Sequence, residues 1–208
     1  MWIFDLDDTL HNASAHVFPH LSRSMTQYLM SHLDLGELQA GDLRRHYWQK
    51  YGATLQGLIR HHGTDPRHFL HHTHQFPDLH NMVIRATGLR ASLLRLKGRK
   101  IVFTNAPKVY AERVLRLLKV RNLFDAVFSI ESTQFQPKPS TQGFLLLLRA
   151  MRLQAAHCTM VEDSLPALQT AKKLGMKTVY VSPNPRRPSY VDARIGSVLE
   201  LPRIAATL

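Results

Sequence analysis

Five short apolar runs, each the length of one strand, set the strongest limit on how this chain can fold. The runs are Trp2–Leu6, Lys100–Thr104, Ala126–Ile130, Thr159–Glu162 and Lys177–Val181. Segments with apolar residues at helical spacing lie between them. Strands that alternate with helices are typical of a parallel sheet with helices on both faces. The sequence therefore predicts an α/β protein.

The helices between the later runs have recognisable ends. One is predicted to begin near Asn105–Pro107, and another at Ser140, whose side chain suits a helix N-cap. A third runs from Ser164 to Leu174 and stops at Gly175, because glycine commonly ends helices.

Residues 14–87 interrupt this alternation, because they contain helical stripes and no strand-like run. Asp65–Pro66 has the pattern of a helix N-cap followed by a first-turn proline. We therefore predict a core of residues 1–13 and 88–208 and a helical cap subdomain of residues 14–87. The insertion follows the first strand, at the strand end where open α/β sheets bind ligands.

Composition argues against a membrane or secreted protein. No apolar stretch approaches the ~20 residues of a membrane-spanning helix, and Asp5, Asp7 and Asp8 stand where a secretory signal would be cationic and then apolar. The single cysteine, Cys158, allows no internal disulfide and lies in an apolar run. We predict a buried structural thiol and a cytoplasmic protein.

The formal net charge of +12 would attract either nucleic acid or small anionic metabolites. The basic residues are scattered, without a long Lys/Arg run and without the aromatic and basic pattern of RNA-binding sheets. We therefore interpret the charge first as a non-specific field and only second as the footprint of a nucleic-acid-binding surface. No oligomeric state follows from these features.

Asp5 and Asp7 stand two residues apart where the first predicted strand ends. On a continued strand both side chains would point to one face. One carboxylate can attack phosphorus to form an aspartyl-phosphate, and a second can protonate the leaving oxygen and later activate water. A carboxylate and a phosphate repel each other, by about 4 kcal/mol per unit-charge pair at ~4 Å and an effective dielectric of ~20. This chemistry therefore needs cations nearby.

Cationic and metal-binding groups follow two later runs. Glu162 and Asp163 close the fourth run, and with Asp5 they would form an oxygen-rich cluster suited to Mg²⁺. Lys138, between two prolines, presents an ammonium that can neutralise Asp5 and a phosphate.

Thr104 and Asn105 end the second run, where a helix begins. The Thr104 hydroxyl and the neighbouring backbone N–H groups are natural phosphate donors. Because the carboxyl ends of parallel strands share one edge of a sheet, we expect these groups and the carboxylates to form one site.

In this order, Asp5-Leu6-Asp7-Asp8-Thr9, Thr104-Asn105, Lys138 and Glu162-Asp163 resemble the four motifs of the haloacid dehalogenase-like superfamily of phosphatases. The resemblance implies a Rossmann-like core with a small helical cap inserted after the first strand. It also implies that Asp5 is the nucleophile and Asp7 the general acid/base. Mg²⁺ would be held by Asp5, the backbone carbonyl of Asp7 and Asp163, with Glu162 adjacent or bound through water.

Within the superfamily, three segments look closest to the pyrimidine 5'-nucleotidase group of the phosphoglycolate-phosphatase-like branch: Phe103–Ala106, Glu162–Leu165 and Ala171–Val179. That group commonly has an asparagine where this chain has Ala167. The superfamily's dehalogenases lack the second aspartate that Asp7 supplies, which favours phosphate chemistry.

The function implied is a Mg²⁺-dependent phosphomonoesterase, with a pyrimidine nucleoside 5'-monophosphate as the leading substrate. Phosphoglycolate, pyridoxal phosphate and sugar phosphates are alternative substrates, and a β-phosphoglucomutase-like phosphosugar mutase is an alternative activity. A basic nucleic-acid-binding or regulatory protein on the same fold is the alternative without catalysis.

Histidines crowd one part of the insertion: His61, His62, His68, His71, His72 and His74. His68 and His72 have the four-residue spacing of zinc ligands on a helix. However, no glutamate follows His68 and no cysteine is near. We predict a polar face, partly protonated below pH ~6.5, rather than a second metal site.

Overall fold

A six-stranded parallel sheet organises the computed structural model, which describes residues 1–208. Its strands are β1 (Trp2–Phe4), β2 (Lys100–Phe103), β3 (Ala126–Phe128), β4 (Thr159–Glu162), β5 (Lys177–Val181) and β6 (Ala193–Ile195). Their order across the sheet is β3-β2-β1-β4-β5-β6. This order is that of a doubly wound, Rossmann-like sheet. The predicted α/β fold class is confirmed.

Each of the five predicted apolar runs contains one strand, and β6 is additional. The sequence does not indicate β6, because Ile195 is its one fully buried residue and Arg194 interrupts the apolar pattern. The strand forms by pairing with the edge of β5, where the Ser182 N–H donates to the Ile195 carbonyl at 2.9 Å. Its existence thus depends on a neighbouring strand more than on local composition.

The chain forms two compact units, residues 1–13 with 83–208, and residues 14–82. The second unit contains α1 (Val17–Leu33), α2 (Glu37–Tyr51), α3 (Thr54–His62), α4 (Pro66–Thr73) and α5 (Leu79–Met82), and no strand. As expected from Asp65–Pro66, the Asp65 carboxylate caps α4 by accepting from the Arg67 N–H at 2.9 Å.

The first unit carries the helices that cover the sheet: α6 (Leu89–Arg95), α7 (Lys108–Leu117), α8 (Thr141–Ala150), α9 (Leu165–Lys173) and α10 (Leu201–Ile204). Helix α8 begins directly after Ser140 and α9 directly after Ser164, as the sequence predicts, but the Ser140 side chain makes no capping hydrogen bond. Gly175 ends the α9 segment with a φ of +90°, a left-handed conformation that glycine adopts without steric cost. None of the ten helices combines the length and hydropathy needed to cross a lipid bilayer.

Aromatic and aliphatic side chains from β1, β2, α8 and α9 pack into one core. The Phe103 and Phe144 rings meet edge to face with centroids 5.0 Å apart. Cys158 lies in this core and burial raises the pKa of its thiol, so the expected buried structural cysteine is present. Ala167 is also buried there.

The position of β1 decides where a ligand site can form. β1 pairs with β2 on one side and with β4 on the other. The strand order reverses at this point, so a crevice can open beyond the carboxyl ends of β1 and β4. Asp5 follows β1, and Glu162 ends β4. Residues 157 positions apart therefore meet at one sheet edge.

Candidate active site

A buried lysine joins two buried carboxylates at the ends of β1 and β4. Lys138 Nζ donates to Asp5 Oδ1 at 2.6 Å and to Glu162 Oε2 at 2.6 Å. The Asp5 backbone N–H donates to the Val161 carbonyl at 2.9 Å, which keeps the two strand ends in register. The structure thus brings together three residues that the sequence places far apart.

Burial dominates the electrostatics of this triad. It raises the pKa of Asp5 to about 7, with a further rise from Glu162 and an opposing effect of Lys138. Burial also raises the pKa of Glu162 to about 7, again opposed by Lys138. Burial alone would lower the pKa of Lys138, but the two carboxylates outweigh it and raise that pKa. The lysine therefore stays charged, and negative charge beside it needs further compensation.

Asp163 completes an acidic cluster next to the triad. Asp5, Glu162 and Asp163 each offer a carboxylate oxygen, and these oxygens lie within 4.8 Å of one another. Burial and repulsion from Asp5 raise the pKa of Asp163 to about 6. Carboxylate oxygens are the ligands that a hard divalent cation prefers, and the raised pKa values show that negative charge in this cluster lacks compensation, which such a cation would provide. The residues present therefore fit Mg²⁺.

The three carboxylates of the cluster differ in how many of their oxygens already accept hydrogen bonds. Glu162 Oε1 accepts from the Ser164 N–H at 3.1 Å while Oε2 accepts from Lys138, so both of its oxygens have donors. The Thr9 hydroxyl donates to Asp163 Oδ1 at 3.4 Å. Asp5 and Asp163 are accordingly better placed than Glu162 to ligate a metal directly, and Thr9 supports Asp163 while Ala167 points into the core.

The predicted phosphate-binding pair, Thr104 and Asn105, lies where β2 ends. The buried Thr104 hydroxyl accepts from the Ala106 N–H at 3.0 Å. The Asn105 amide donates to the Lys138 carbonyl at 3.0 Å and accepts from the Lys138 N–H at 2.7 Å. The Asn105 side chain thus anchors the backbone that presents Lys138, a role that the sequence does not indicate.

Asp7 has two partners outside the recognised motifs. Its Oδ1 accepts from the Tyr110 hydroxyl at 2.7 Å and lies 2.9 Å from His11 Nε2. Neither Tyr110 nor His11 is a candidate site residue on the sequence alone. The four-residue spacing of Asp7 and His11 was the one local signal.

The histidines form a separate cluster within residues 14–82. The rings of His68 and His72 have centroids 4.2 Å apart, and the Tyr28 hydroxyl lies 2.9 Å from His68 Nδ1. Desolvation and the neighbouring His68 lower the pKa of His72. His68 and His72 are both solvent-exposed, and the polar face predicted for this cluster stays a prediction.

Comparison with known proteins decides the family. The profile of the haloacid dehalogenase-like hydrolases matches residues 2–181. This chain belongs to that family. Membership of this family accounts for both the Rossmann-like sheet and the four motifs. The resemblance inferred from those motifs is confirmed.

Individual relatives are more distant. Phosphate metabolism protein 8 of Saccharomyces cerevisiae is 25% identical over 192 residues, which cover 85% of this chain and 59% of that protein. The chain thus spans about three fifths of the length of this curated relative.

Among solved structures, a HAD phosphatase from Thermococcus onnurineus is 20% identical with a TM-score of 0.68, covering 98% of this chain and 96% of its own. L-2-haloacid dehalogenase from Xanthobacter autotrophicus, with chloropropionic acid covalently bound, is 14% identical with a TM-score of 0.63, covering 100% and 98%. A phosphatase and a dehalogenase share this fold, so individual residues must distinguish the chemistry.

Proposed function

We propose that this hydrolase is a Mg²⁺-dependent phosphomonoesterase that acts through an aspartyl-phosphate. The observation that carries the proposal is the pair of carboxylates after β1, where Asp5 contacts Lys138 and Asp7 contacts Tyr110 and His11. One carboxylate is buried beside an ammonium, as a nucleophile approached by an anion requires. The other has its own donors, and it supplies the acid/base that a phosphate ester needs.

In the first step an Asp5 carboxylate oxygen forms a bond to phosphorus while the bond from phosphorus to the ester oxygen breaks. Asp7 gives its proton to that leaving oxygen, and the product alcohol departs. The positive charge of Lys138 offsets the repulsion between the incoming phosphate and the acidic cluster. Thr104, at the end of β2, is the proposed hydroxyl donor to the phosphate oxygens.

In the second step water attacks the phosphorus of the aspartyl-phosphate and gives a proton to Asp7. The bond between phosphorus and the Asp5 oxygen breaks, which releases inorganic phosphate and restores both carboxyl groups. Asp5, Asp163 and the backbone carbonyl of Asp7 are the proposed metal ligands, with Glu162 adjacent. Bound Mg²⁺ would supply positive charge that stabilises the transferring phosphoryl group.

The proposed substrate is a small phosphorylated metabolite, with a pyrimidine nucleoside 5'-monophosphate as the first candidate. The name of the yeast relative, Phosphate metabolism protein 8, supports phosphate chemistry. We propose that the core motifs bind the phosphate of this substrate.

Removing the nucleophile tests the reaction type. With p-nitrophenyl phosphate and Mg²⁺, Asp5→Asn is expected to lower kcat by about three orders of magnitude or more, because the amide cannot form the covalent intermediate. Asp125→Asn is the matched control, because Asp125 lies at the surface in an ion pair with Arg99. Activity that survives in Asp5→Asn, or that chelation leaves unchanged, contradicts the mechanism.

A substrate panel tests the substrate class. Phosphate release would be measured with nucleoside monophosphates, sugar phosphates, phosphoglycolate and pyridoxal phosphate under the same conditions. A preference for pyrimidine nucleotides in kcat/KM supports the proposed substrate. Phosphate transfer within one sugar without phosphate release would identify a mutase. No turnover of any ester, together with salt-dependent nucleic-acid binding, would identify the alternative without catalysis.

A further inference from the structure

Two buried side chains converge on one oxygen of Asp7. The Tyr110 hydroxyl donates to Asp7 Oδ1 at 2.7 Å, and His11 Nε2 lies 2.9 Å from the same atom. Tyr110 and His11 are buried, whereas Asp7 is partly accessible. Neither partner belongs to the four motifs that define the site.

The two partners reach Asp7 from different elements. Tyr110 lies in the first turn of α7, the helix that follows β2, and is 103 positions from Asp7. His11 lies four residues after Asp7, and the backbones of the two residues form an isolated parallel bridge. The carboxylate is thus held both from its own loop and from a helix across the site.

The surroundings of His11 indicate which ring nitrogen carries the proton. His11 Nδ1 is buried without a hydrogen-bond partner. A buried N–H there would lack an acceptor, whereas Nε2–H can donate to Asp7 Oδ1. The favoured tautomer therefore makes His11 a second donor to the oxygen that Tyr110 already contacts.

We propose that Tyr110 and His11 are positioning residues that aim Asp7 at the leaving group. This inference rests on the proposed phosphomonoesterase activity. A carboxylate attached to a loop can rotate about its terminal torsion. Two donors on Oδ1 hold the carboxylate plane and direct Oδ2 as the oxygen that exchanges the proton. General acid catalysis depends on such placement, because the proton must lie within hydrogen-bond reach of the leaving oxygen.

The inference predicts a dependence on the leaving group. Phenyl phosphate and p-nitrophenyl phosphate have similar shapes, but phenolate is the more basic leaving group and depends more on protonation. kcat/KM reports steps up to the first phosphoryl transfer. A misdirected Asp7 therefore lowers kcat/KM more for phenyl phosphate than for p-nitrophenyl phosphate.

Tyr110→Phe removes one hydroxyl and keeps the ring. We expect kcat/KM to fall about tenfold or more for phenyl phosphate, a fraction of what general acid catalysis contributes, and less than about threefold for p-nitrophenyl phosphate. His11→Phe should give the same pattern. His11→Gln, which keeps a side-chain N–H donor, should recover part of the loss. Tyr190→Phe is the control, because this tyrosine packs against the core of the same unit, and its carbonyl accepts from the Thr178 hydroxyl at the start of β5, the opposite end of the strands from Asp7.

The outcomes separate this inference from the activity on which it rests. The positioning role is wrong if the variants lose kcat/KM equally on the two esters, or if Tyr110→Phe and His11→Phe both keep the wild-type ratio of kcat/KM between the esters. In either case, hydrolysis of the esters by the wild-type protein would still support the phosphatase activity. A wild-type protein that hydrolyses neither ester would overturn both proposals. Circular dichroism checks that the variants fold. If Tyr110→Phe does not fold, His11→Phe tests the same role independently.

Discussion

Lys138 is the residue whose charge holds the buried site together. Its ammonium lies 2.6 Å from oxygens of both Asp5 and Glu162, and all three side chains are buried. Two carboxylates without that ammonium would face each other in a region of low dielectric constant. The lysine therefore acts on the stability of the site as well as on a bound phosphate.

Lys138→Met is expected to lower both activity and stability. Removing one partner of a buried ion pair costs about 3–5 kcal/mol when the remaining charge stays uncompensated. Urea unfolding in the presence of chelator, at a pH above 7, measures this loss. Lys172→Met is the control, because its pair with Asp192 is partly exposed and surface pairs contribute about 0–1 kcal/mol. Equal losses in the two variants would contradict the role of Lys138.

At the scale of elements, α2 and α3 approach each other through a glycine. A Cβ built at Gly57 would lie 2.1 Å from the nearest ring carbon of Tyr47. Tyr47 itself is buried, and its hydroxyl lies 2.8 Å from His62 Nε2. The ring therefore fills the space that any other residue at position 57 would need.

Gly57→Ala should destabilise the helical unit. Overpacking of this kind costs about 1–3 kcal/mol, because the Tyr47 ring must leave its position. Gly41→Ala is the matched control, since that Cβ would meet only the end of the Arg45 side chain at 3.5 Å. In a helix interior the alanine should stabilise by about 0.5–1 kcal/mol. Denaturant unfolding of both variants checks the difference, and similar midpoints would contradict the close packing.

For the whole molecule, the acidic cluster couples stability to pH and to metal. Burial raises the pKa values of Asp5 and Glu162 to about 7 and that of Asp163 to about 6, above their ordinary values of 3.8 and 4.5. The folded, metal-free protein therefore holds protons that the unfolded chain releases. Their stabilising contribution is complete below about pH 4 and is lost as the pH rises through about 6–7.

Magnesium should reverse this loss, because it competes with protons for the same oxygens. We expect Mg²⁺ to raise the Tm more at pH 7.5 than at pH 5.5, where the cluster is largely protonated. Thermal unfolding with Mg²⁺ and with chelator at both pH values measures the shift. Asp163→Asn should reduce it, whereas Asp125→Asn should not. A shift of equal size at both pH values would count against binding at this cluster.

Much of the core architecture and the candidate site could be read from the residues alone. Short apolar runs ending in polar residues predict parallel strands, since a strand buried on both faces needs a continuous apolar segment. Asp5, Lys138, Glu162 and Asp163 could be assigned to one site, because carboxyl ends of parallel strands share an edge. Strand β6 could not be predicted from the sequence, because it forms only by pairing with the edge of β5.

By itself, the sequence determined the α/β class, the order of the motifs and the chemical types that meet at the sheet edge. Only the tertiary structure decided which partners each side chain finds. Lys138 reaches Asp5 across 133 positions and Tyr110 reaches Asp7 across 103, whereas Asn105 engages the Lys138 backbone. Local periodicity records whether a residue is buried, but hydrogen bonds between distant residues depend on how strands and helices pack in three dimensions.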